Sequence, residues 1–280
     1  MTNFLKHGEF FSCENINIHY HYLQHPDNSK PVLVLLHGFL SSLFSFRKLI
    51  PLLEEQFSIL AIDWPPFGFS EKSRKFVYRT DNIANAILSM LEAMKLKSVT
   101  VIGHSMGGQV ALKMAKLAPN KVDKLVLISC SAYMQRFPKK VSAATFIPFF
   151  HLFLRRKLEK QGVHHNLRNV VYHHGSIDHE MINGYEQPFY QKGMFEALTR
   201  FLRHREDDLT TEQLAEIPHP VLLIWGNEDR IIPLKTGKRL LSDLSNAALK
   251  IFTETGHLVP EERAEETANE IVQFIKAPSS

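Results

Sequence analysis

Three short stretches of the chain carry residues that could act together on a carbonyl group. The first is Gly103-His104-Ser105-Met106-Gly107-Gly108, a G-x-S-x-G pattern between the apolar run Val99–Ile102 and a helix-forming run that begins Gln109-Val110-Ala111-Leu112. A serine on so tight a strand-to-helix turn needs small residues two before and two after it, because the two backbones pass close together. Gly103 and Gly107 meet that need, and Gly108 would let the helix approach the sheet. At a helix N-terminus the serine also has backbone N–H groups and the positive end of the dipole directed at developing negative charge. Glycine-rich turns of this kind also bind phosphates or simply bend the chain, so the partners of the serine decide the matter.

A serine hydroxyl is a poor nucleophile near neutral pH unless a base takes its proton, and the base needs an acid to fix its tautomer and stabilise its cation. For this turn the chain order should be serine, acid, histidine. The run Val221–Trp225 leads into Gly226-Asn227-Glu228-Asp229, which sets two acids just past the C-terminus of a strand, where open α/β sheets hold their sites. After the next run, Leu249–Phe252, comes Thr253-Glu254-Thr255-Gly256-His257. The order is satisfied. With 15 histidines in the chain, His257 stands out only through its strand, its glycine and its place in the order. His37, His104 and the pairs His164–His165 and His173–His174 form no H-E-x-x-H or comparable spacing, so no metal and no cofactor are expected.

Positioning such turns takes a parallel sheet with crossover helices, and the chain alternates short β-branched runs with helical patterns as that architecture requires. Phe10–Phe11 and Ile16–Leu23 read as an antiparallel hairpin at the sheet edge. Val32–Leu36, Phe57–Ile62, Val99–Ile102, Leu125–Ile128, Val221–Trp225 and Leu249–Phe252 complete about eight strands. Ile83, Ile87, Met90, Leu91 and Met94 form the apolar stripe of a helix over Asp81–Met94. Pro260 opens a last helix with Ala264, Ala268, Ile271 and Ile275 on one face. The alternation breaks between Ser131 and about Asp208, which reads as an inserted helical cap. The division is therefore core over 1–130, cap over 131–208 and core again over 209–280. Within the cap, Val141–Leu154 has no Asp, Glu, Lys or Arg and is followed by Arg155, Arg156 and Lys157. It is too short to span a bilayer. Packing onto the rest of the protein with Pro148 kinking or ending the helix, lining an apolar pocket, and transient contact with a membrane surface are its three readings.

Composition sets the outer limits. At ~150 residues per domain, 280 residues allow two domains, yet single α/β domains routinely run to this size. A hydrophobic fraction of 44% and a charged fraction of 22% exclude collagenous, coiled-coil and low-complexity classes. The formal charge of +4, with no long single-sign block, argues against nucleic acid as a partner. Cys13 and Cys130 lie in no C-x-x-C pattern, which fits a reducing cytoplasm. The opening MTNFLKHGEFF lacks a continuous apolar run and a small-residue cleavage site, so an unexported protein, monomeric or homodimeric, is expected.

With these stretches in order, the chain resembles the α/β-hydrolase superfamily over nearly its whole length. The resemblance implies that family's fold, an eight-stranded, mostly parallel sheet with a cap. It selects Asp229 over Glu228, because the family's acid lies three residues after the glycine that ends its strand. Some members carry the acid after the strand that precedes the cap, but that turn here is Ser129-Cys130-Ser131. Leu35-Leu36-His37-Gly38-Phe39 resembles the family's oxyanion loop, which assigns the backbone N–H groups of Phe39 and Met106 to the oxyanion. Asp63-Trp64-Pro65-Pro66-Phe67-Gly68-Phe69-Ser70 resembles its D-x-P-G-x-G-x-S loop, with Pro66 where glycine is usual, and Asp63 reads as a loop-organising acceptor.

A serine nucleophile sets the chain apart from the haloalkane dehalogenases and epoxide hydrolases of this fold, which use aspartate. Among serine members it is similar to carboxylesterases and monoacylglycerol-lipase-like enzymes, which implies small to medium apolar acyl or aryl esters as small-molecule substrates. Hydrolases that cleave carbon–carbon bonds in ring-fission products rank second, since they often have Asn where this chain has His104. The menaquinone-pathway synthase of this fold usually has arginine where Gln109 stands. A ligand-binding regulator that keeps the triad is a further alternative. His104 with Phe146, Phe149, Phe150 and Phe153 are the expected pocket residues.

Overall fold

The computed structural model describes residues 8–13, 15–136 and 138–277. The opening segment read above for a leader therefore lies outside the described residues as far as His7. The β-branched runs form eight strands: β1 (Glu9–Cys13), β2 (Ile16–Leu23), β3 (Val32–Leu36), β4 (Ser58–Asp63), β5 (Val99–His104), β6 (Val122–Ile128), β7 (Val221–Gly226) and β8 (Ala247–Phe252). They make one sheet in the order β1-β2-β4-β3-β5-β6-β7-β8. β1 and β2 form the expected edge hairpin, and β2 runs antiparallel to β4; every pairing from β4 to β8 is parallel. The order steps outward in both directions from β3 and β5, so the C-terminal ends of these central strands open onto one crevice.

The parallel strands β3 to β7 are buried on both faces, which is why they read as continuous apolar runs and not as alternation, whereas β8 at the sheet edge is largely half-buried or exposed. On one face the Thr80–Ala93 and Met106–Leu117 helices bury Ile83, Ile87, Met90, Val110 and Met114 against Val34, Leu60 and Val101. On the other, Leu33, Ile59, Ile102 and Ile224 pack on Leu49, Leu53 and the C-terminal helix through Ala268 and Ile271. That last helix differs from the reading above. Pro260 sits in a short turn of helix, Val259–Glu262, which breaks at Arg263 before Ala264–Lys276 begins.

Among the described residues no strand lies between β6 and β7. Helices at Lys139–Ala144, Phe150–Gln161, Val163–Val170, His179–Glu186, Met194–His204 and Thr211–Ala215 fill the interval. Pro148 separates the first two of these, and Phe149, in a left-handed conformation with φ of 62°, starts the second. The two ends of the insertion are tied together: Asp208 N–H donates to Met134 O at 3.1 Å, and Met134 N–H donates to Asp208 Oδ2 at 2.8 Å. Gln109 of the Met106–Leu117 helix reaches both ends, donating to Ser131 Oγ at 2.7 Å and Asp208 Oδ2 at 2.9 Å. Further round, Arg47 joins Glu180 of the insertion at 2.9 Å to Glu261 of the core at 3.0 Å.

The loop after β4 is organised by Asp63, which is fully buried. Its Oδ1 accepts from Leu43 N–H at 2.7 Å, and its Oδ2 accepts from Phe69 N–H at 2.8 Å and pairs with His19 Nδ1 of β2 at 2.8 Å. Gly68, at φ of 53°, packs so close that an added Cβ would fall 2.0 Å from Asp63 Cγ. The loop contains a cis bond between Pro65 and Pro66. Burial pushes the Asp63 carboxyl up, but the hydrogen bond and charge of His19, the charge of His37 and the Phe69 N–H outweigh it and hold the group below the usual aspartate range.

Because the folded value is depressed, this group adds stability above its unfolded pKa, and that contribution disappears as pH falls through the folded value. Asp63→Asn turns one acceptor oxygen into a donor facing a donor. It should cost about 3–5 kcal/mol in urea unfolding at neutral pH, and the gap from wild type should narrow on acidification; a cost under about 1 kcal/mol would show that the loop does not depend on the carboxylate.

Candidate active site

Ser105 stands between β5 and the Met106–Leu117 helix with φ of 52° and ψ of −119°. A non-glycine residue held there costs about 1–3 kcal/mol and needs its surroundings to hold it. They do so through backbone hydrogen bonds: Ser105 N–H donates to Ile128 O at 2.9 Å, while Ser105 O accepts from Gly108 N–H at 3.0 Å and Ser131 N–H at 3.1 Å. At about 0.5–1.5 kcal/mol each, three such bonds are of the size needed to offset the strain. The flanking glycines are steric necessities. A Cβ on Gly103 would meet Gly107 O at 2.6 Å, and one on Gly107 would meet Leu36 O at 2.1 Å. Gly108 lies against Cys130, where a Cβ would come 2.4 Å from Sγ.

The turn after β3 lies alongside. A Cβ on Gly38 would be 3.2 Å from Ser105 Cβ, so the Gly38-Phe39 backbone runs directly past the serine. Met106 is the first residue of its helix, where N–H groups have no intrahelical acceptor. Two backbone N–H groups from different elements are thereby brought to the neighbourhood of Ser105. His37 is buried behind this turn, and burial pushes its pKa down to about 4 against the pull of Asp63. Its carbonyl accepts from Trp64 Nε1 at 2.6 Å, which fastens the turn to the Asp63 loop.

His257 follows β8 and pairs through Nδ1 with Asp229 Oδ2 at 2.8 Å. Asp229 Oδ1 accepts from the N–H groups of Ile231 at 2.8 Å and Ile232 at 2.9 Å. Burial raises the Asp229 carboxyl, but the His257 bond and charge and these two N–H groups outweigh it, leaving the pKa below the usual range. The neighbouring acid points elsewhere: Glu228 accepts from Thr255 N–H at 3.0 Å and from Asn227 Nδ2 at 2.8 Å. Of the two acids left open by the strand context, Asp229 is the one against histidine. His257 itself is anchored through its backbone, its N–H donating to Val170 O of the insertion at 2.7 Å and its O accepting from His104 Nε2 at 2.9 Å. Burial, and then the charge of His257, push the His104 pKa down to about 3, so His104 is a neutral donor that holds the histidine loop in place.

Ser105 and His257 line one cavity of about 340 Å³, together with His104, Phe39 and residues of the insertion. The insertion contributes Val163, Asn166, Leu167 and Val170, spaced as one face of the Val163–Val170 helix, and Tyr185 and Phe189 beyond it. That spacing was present in the sequence as a short i, i+3, i+4, i+7 stripe, and it was missed because Asn166 interrupts its apolar character. Tyr185 carries a buried hydroxyl without a hydrogen-bond partner.

The phenylalanines expected in the pocket lie elsewhere. Phe146, Phe149 and Phe153 are exposed on the outer side of the insertion, and half-buried Phe150 packs with Phe153 at a ring separation of 5.9 Å, outside the cavity wall. The reason is helical phase. Leu154 and Leu158 turn the inner face of the Phe150–Gln161 helix toward the core, which swings Leu152 and Phe153 outward. Among the described residues no group of three or more His, Cys, Asp and Glu could hold a metal ion, and no helix is long and apolar enough to cross a membrane.

The structure brings Ser105 into one cavity with an imidazole whose Nδ1 is held by a carboxylate, the set of groups that serine activation requires. A fluorophosphonate probe, which reacts with activated serines of any substrate class, tests it. Labelling should vanish in Ser105→Ala, slow by ~10³-fold or more in Asp229→Asn and stay within a few-fold of wild type in Glu228→Gln; equal slowing in the two acid variants would remove Asp229 as the acid that orients His257.

Comparison with known proteins agrees with this architecture. The chain is 48% identical over 266 residues to the uncharacterized hydrolase YugF of Bacillus subtilis (strain 168), spanning 95% of this chain and 97% of that one. It is 26% identical over 272 residues to the 2-hydroxy-6-oxononadienedioate/2-hydroxy-6-oxononatrienedioate hydrolase 1 of Pseudomonas putida, spanning 93% and 92% of the two chains. The crystal structure of the meta-cleavage product hydrolase CumD of Pseudomonas fluorescens IP01 superposes with a TM-score of 0.79 at 20% identity, covering 96% of this chain and 97% of that one. Residues 31–264 match the alpha/beta hydrolase fold family, and the chain is a hydrolase belonging to it.

Proposed function

We propose that the protein is a serine hydrolase of neutral carboxylic esters with small to medium apolar acyl or aryl groups. The observation that carries this reading is the cavity wall. Among the described residues it contains no Lys, Arg, Asp or Glu, and its titratable side chains are His104, His257 and Tyr185 alone. A neutral, apolar substrate loses little on entering such a site, whereas an anion would be desolvated with no cation to pair with it.

In this reading Ser105 Oγ attacks the ester carbonyl carbon as His257 Nε2 takes its proton. Asp229 stays ionised and stabilises the imidazolium. The oxyanion rests on the N–H groups of Phe39 and Met106, and collapse expels the alcohol, which takes its proton from His257. Water, deprotonated by the same histidine, then attacks the acyl-enzyme and frees the acid. The helical segment over 131–208 serves as the cap that closes the acyl pocket, with Phe39 and Phe189 as its aromatic lining.

The names of several relatives favour a second reading, in which the same residues cleave a carbon–carbon bond in a 2-hydroxy-6-oxo-dienoate. Those substrates are carboxylates, so the two readings separate on charge. Aryl esters of increasing acyl length and 2-hydroxy-6-oxo-6-phenylhexa-2,4-dienoate should be compared on wild type and Ser105→Ala. Ester turnover should peak at an intermediate length and fall by ~10⁴-fold or more in the variant, with kcat/KM for the dienoate ~100-fold below the best ester, a gap of about 2.7 kcal/mol in transition-state binding. A dienoate rate above that of every ester would install the second reading. A wild type no faster than the variant on all substrates would remove both.

A further inference from the structure

The insertion carries an apolar surface that the candidate site does not use. Phe146, Ile147 and Phe149, in the turn before the Phe150–Gln161 helix, are 65%, 59% and 72% exposed, and Phe153 on its first turn is 61% exposed. Leu152 beside it is 49% exposed. Scattered exposed apolar residues are ordinary, but contiguous large ones on a single tip are not. The tip's own segment carries charge of one sign, and the acid of a neighbouring helix, Glu196, meets it at His151, 4.0 Å away on the side of the outer cavity. No Asp or Glu occurs between Pro138 and Leu158, and Arg155, Arg156, Lys157 and Lys160 follow the apolar turn on exposed positions. The acid Glu159 is already engaged by Arg155 at 2.8 Å.

The order along the helix gives the surface a direction. With ~1.5 Å of rise per residue, Arg156 and Lys160 lie about 5 and about 10 Å further along the axis than Phe153. An apolar end with a cationic collar at that height matches the depth at which an interfacial segment rests, rings among the acyl chains and cations among the phosphates. A second copy of the chain fits less well, because a two-fold contact through this tip would bring two basic collars together.

We infer that the Phe146–Phe153 tip docks the protein on anionic lipid bilayers. The docked end also borders a cavity that adjoins the candidate site. His151, Leu152, Arg155 and Leu158 line an outer cavity of about 560 Å³, and Leu158, Val163, Asn166 and Phe189 are common to its wall and to the wall of the cavity that holds Ser105. Resting on the ester-hydrolase reading above, this arrangement assigns the substrate class to sparingly soluble esters that partition into the bilayer and enter past Phe189.

Flotation of the full chain with vesicles of phosphatidylcholine, alone or mixed with phosphatidylglycerol, tests docking without recourse to activity. The wild type should float with the mixed vesicles, and weakly with phosphatidylcholine alone or in high salt. Phe149→Ser with Phe153→Ser should weaken binding at least about tenfold, and Arg156→Gln with Lys157→Gln about fivefold per charge. Both variants should hydrolyse a soluble short-chain aryl ester at the wild-type rate, which shows that they are folded and reads the ester proposal separately from the docking proposal. Absence of flotation, or equal flotation of wild type and the phenylalanine variant, overturns the inference. So does a wild-type dimer in sedimentation equilibrium that the phenylalanine variant abolishes while vesicles stay unbound.

Discussion

The strained backbone of Ser105 is the constraint on which the rest of the molecule depends. A residue at φ of 52° keeps that conformation only if its neighbours leave it no alternative. Those neighbours come from three directions: β6 through Ile128 O, the helix through Gly108 N–H and the first residues of the insertion through Ser131 N–H. The glycines at 103 and 107 follow from the same constraint, since each occupies a gap between backbones too narrow for a methyl group. The turn therefore registers the two central strands, the helix and the insertion against one atom. Displacing any of them would release the serine into an ordinary conformation in which its hydroxyl no longer stands at the crevice.

A second fixed point lies at Asp63. It gathers β2 through His19, the segment after β3 through the Leu43 N–H and its own loop through the Phe69 N–H. Trp64 next to it holds the His37 carbonyl. The turn that carries Gly38 and Phe39 past Ser105 is thus positioned by a buried carboxylate that never touches the cavity. Its ionisation below the usual range means that the donors around it outweigh the cost of burial, as a structural acceptor requires.

How much of this was legible in the sequence depended on whether the signal was local. The strand runs, the edge hairpin and the serine turn are written in short apolar runs and glycine spacing, and the sheet has the expected eight strands with ends shifted by at most three residues. The choice between Glu228 and Asp229 was open to strand context alone, because both acids follow β7; family spacing pointed to Asp229, and contacts across the sheet bring that residue to His257. The pairing of Asp63 with His19 spans 44 residues and an antiparallel contact that no local pattern encodes. The break at Arg263 and the turn at Phe149 escaped for a related reason: a helix that stops early still keeps its periodicity on either side. The phenylalanines of the insertion were misplaced because absence of charge was read as burial. Composition gives no phase, and Leu154 with Leu158 decides which side of that helix faces the core.

The insertion is where fold and site exchange constraints. Val170 O receives the His257 N–H, so the helix that walls the cavity also sets the height of the histidine. Movement of that helix would change the volume of the cavity and the placement of the imidazole together. Asp208 stands at the base of the same insertion, its carboxyl raised by burial to about 6 while it accepts from Met134 N–H and Gln109. Near neutral pH it is largely ionised and accepts both bonds; on protonation it becomes in part a donor and the grip on Gln109 weakens. Gln109 belongs to the helix that begins at Met106. The root of the insertion and the Met106 N–H beside Ser105 therefore share one hydrogen-bonded joint, and a shift at one end reaches the other along the first turn of that helix.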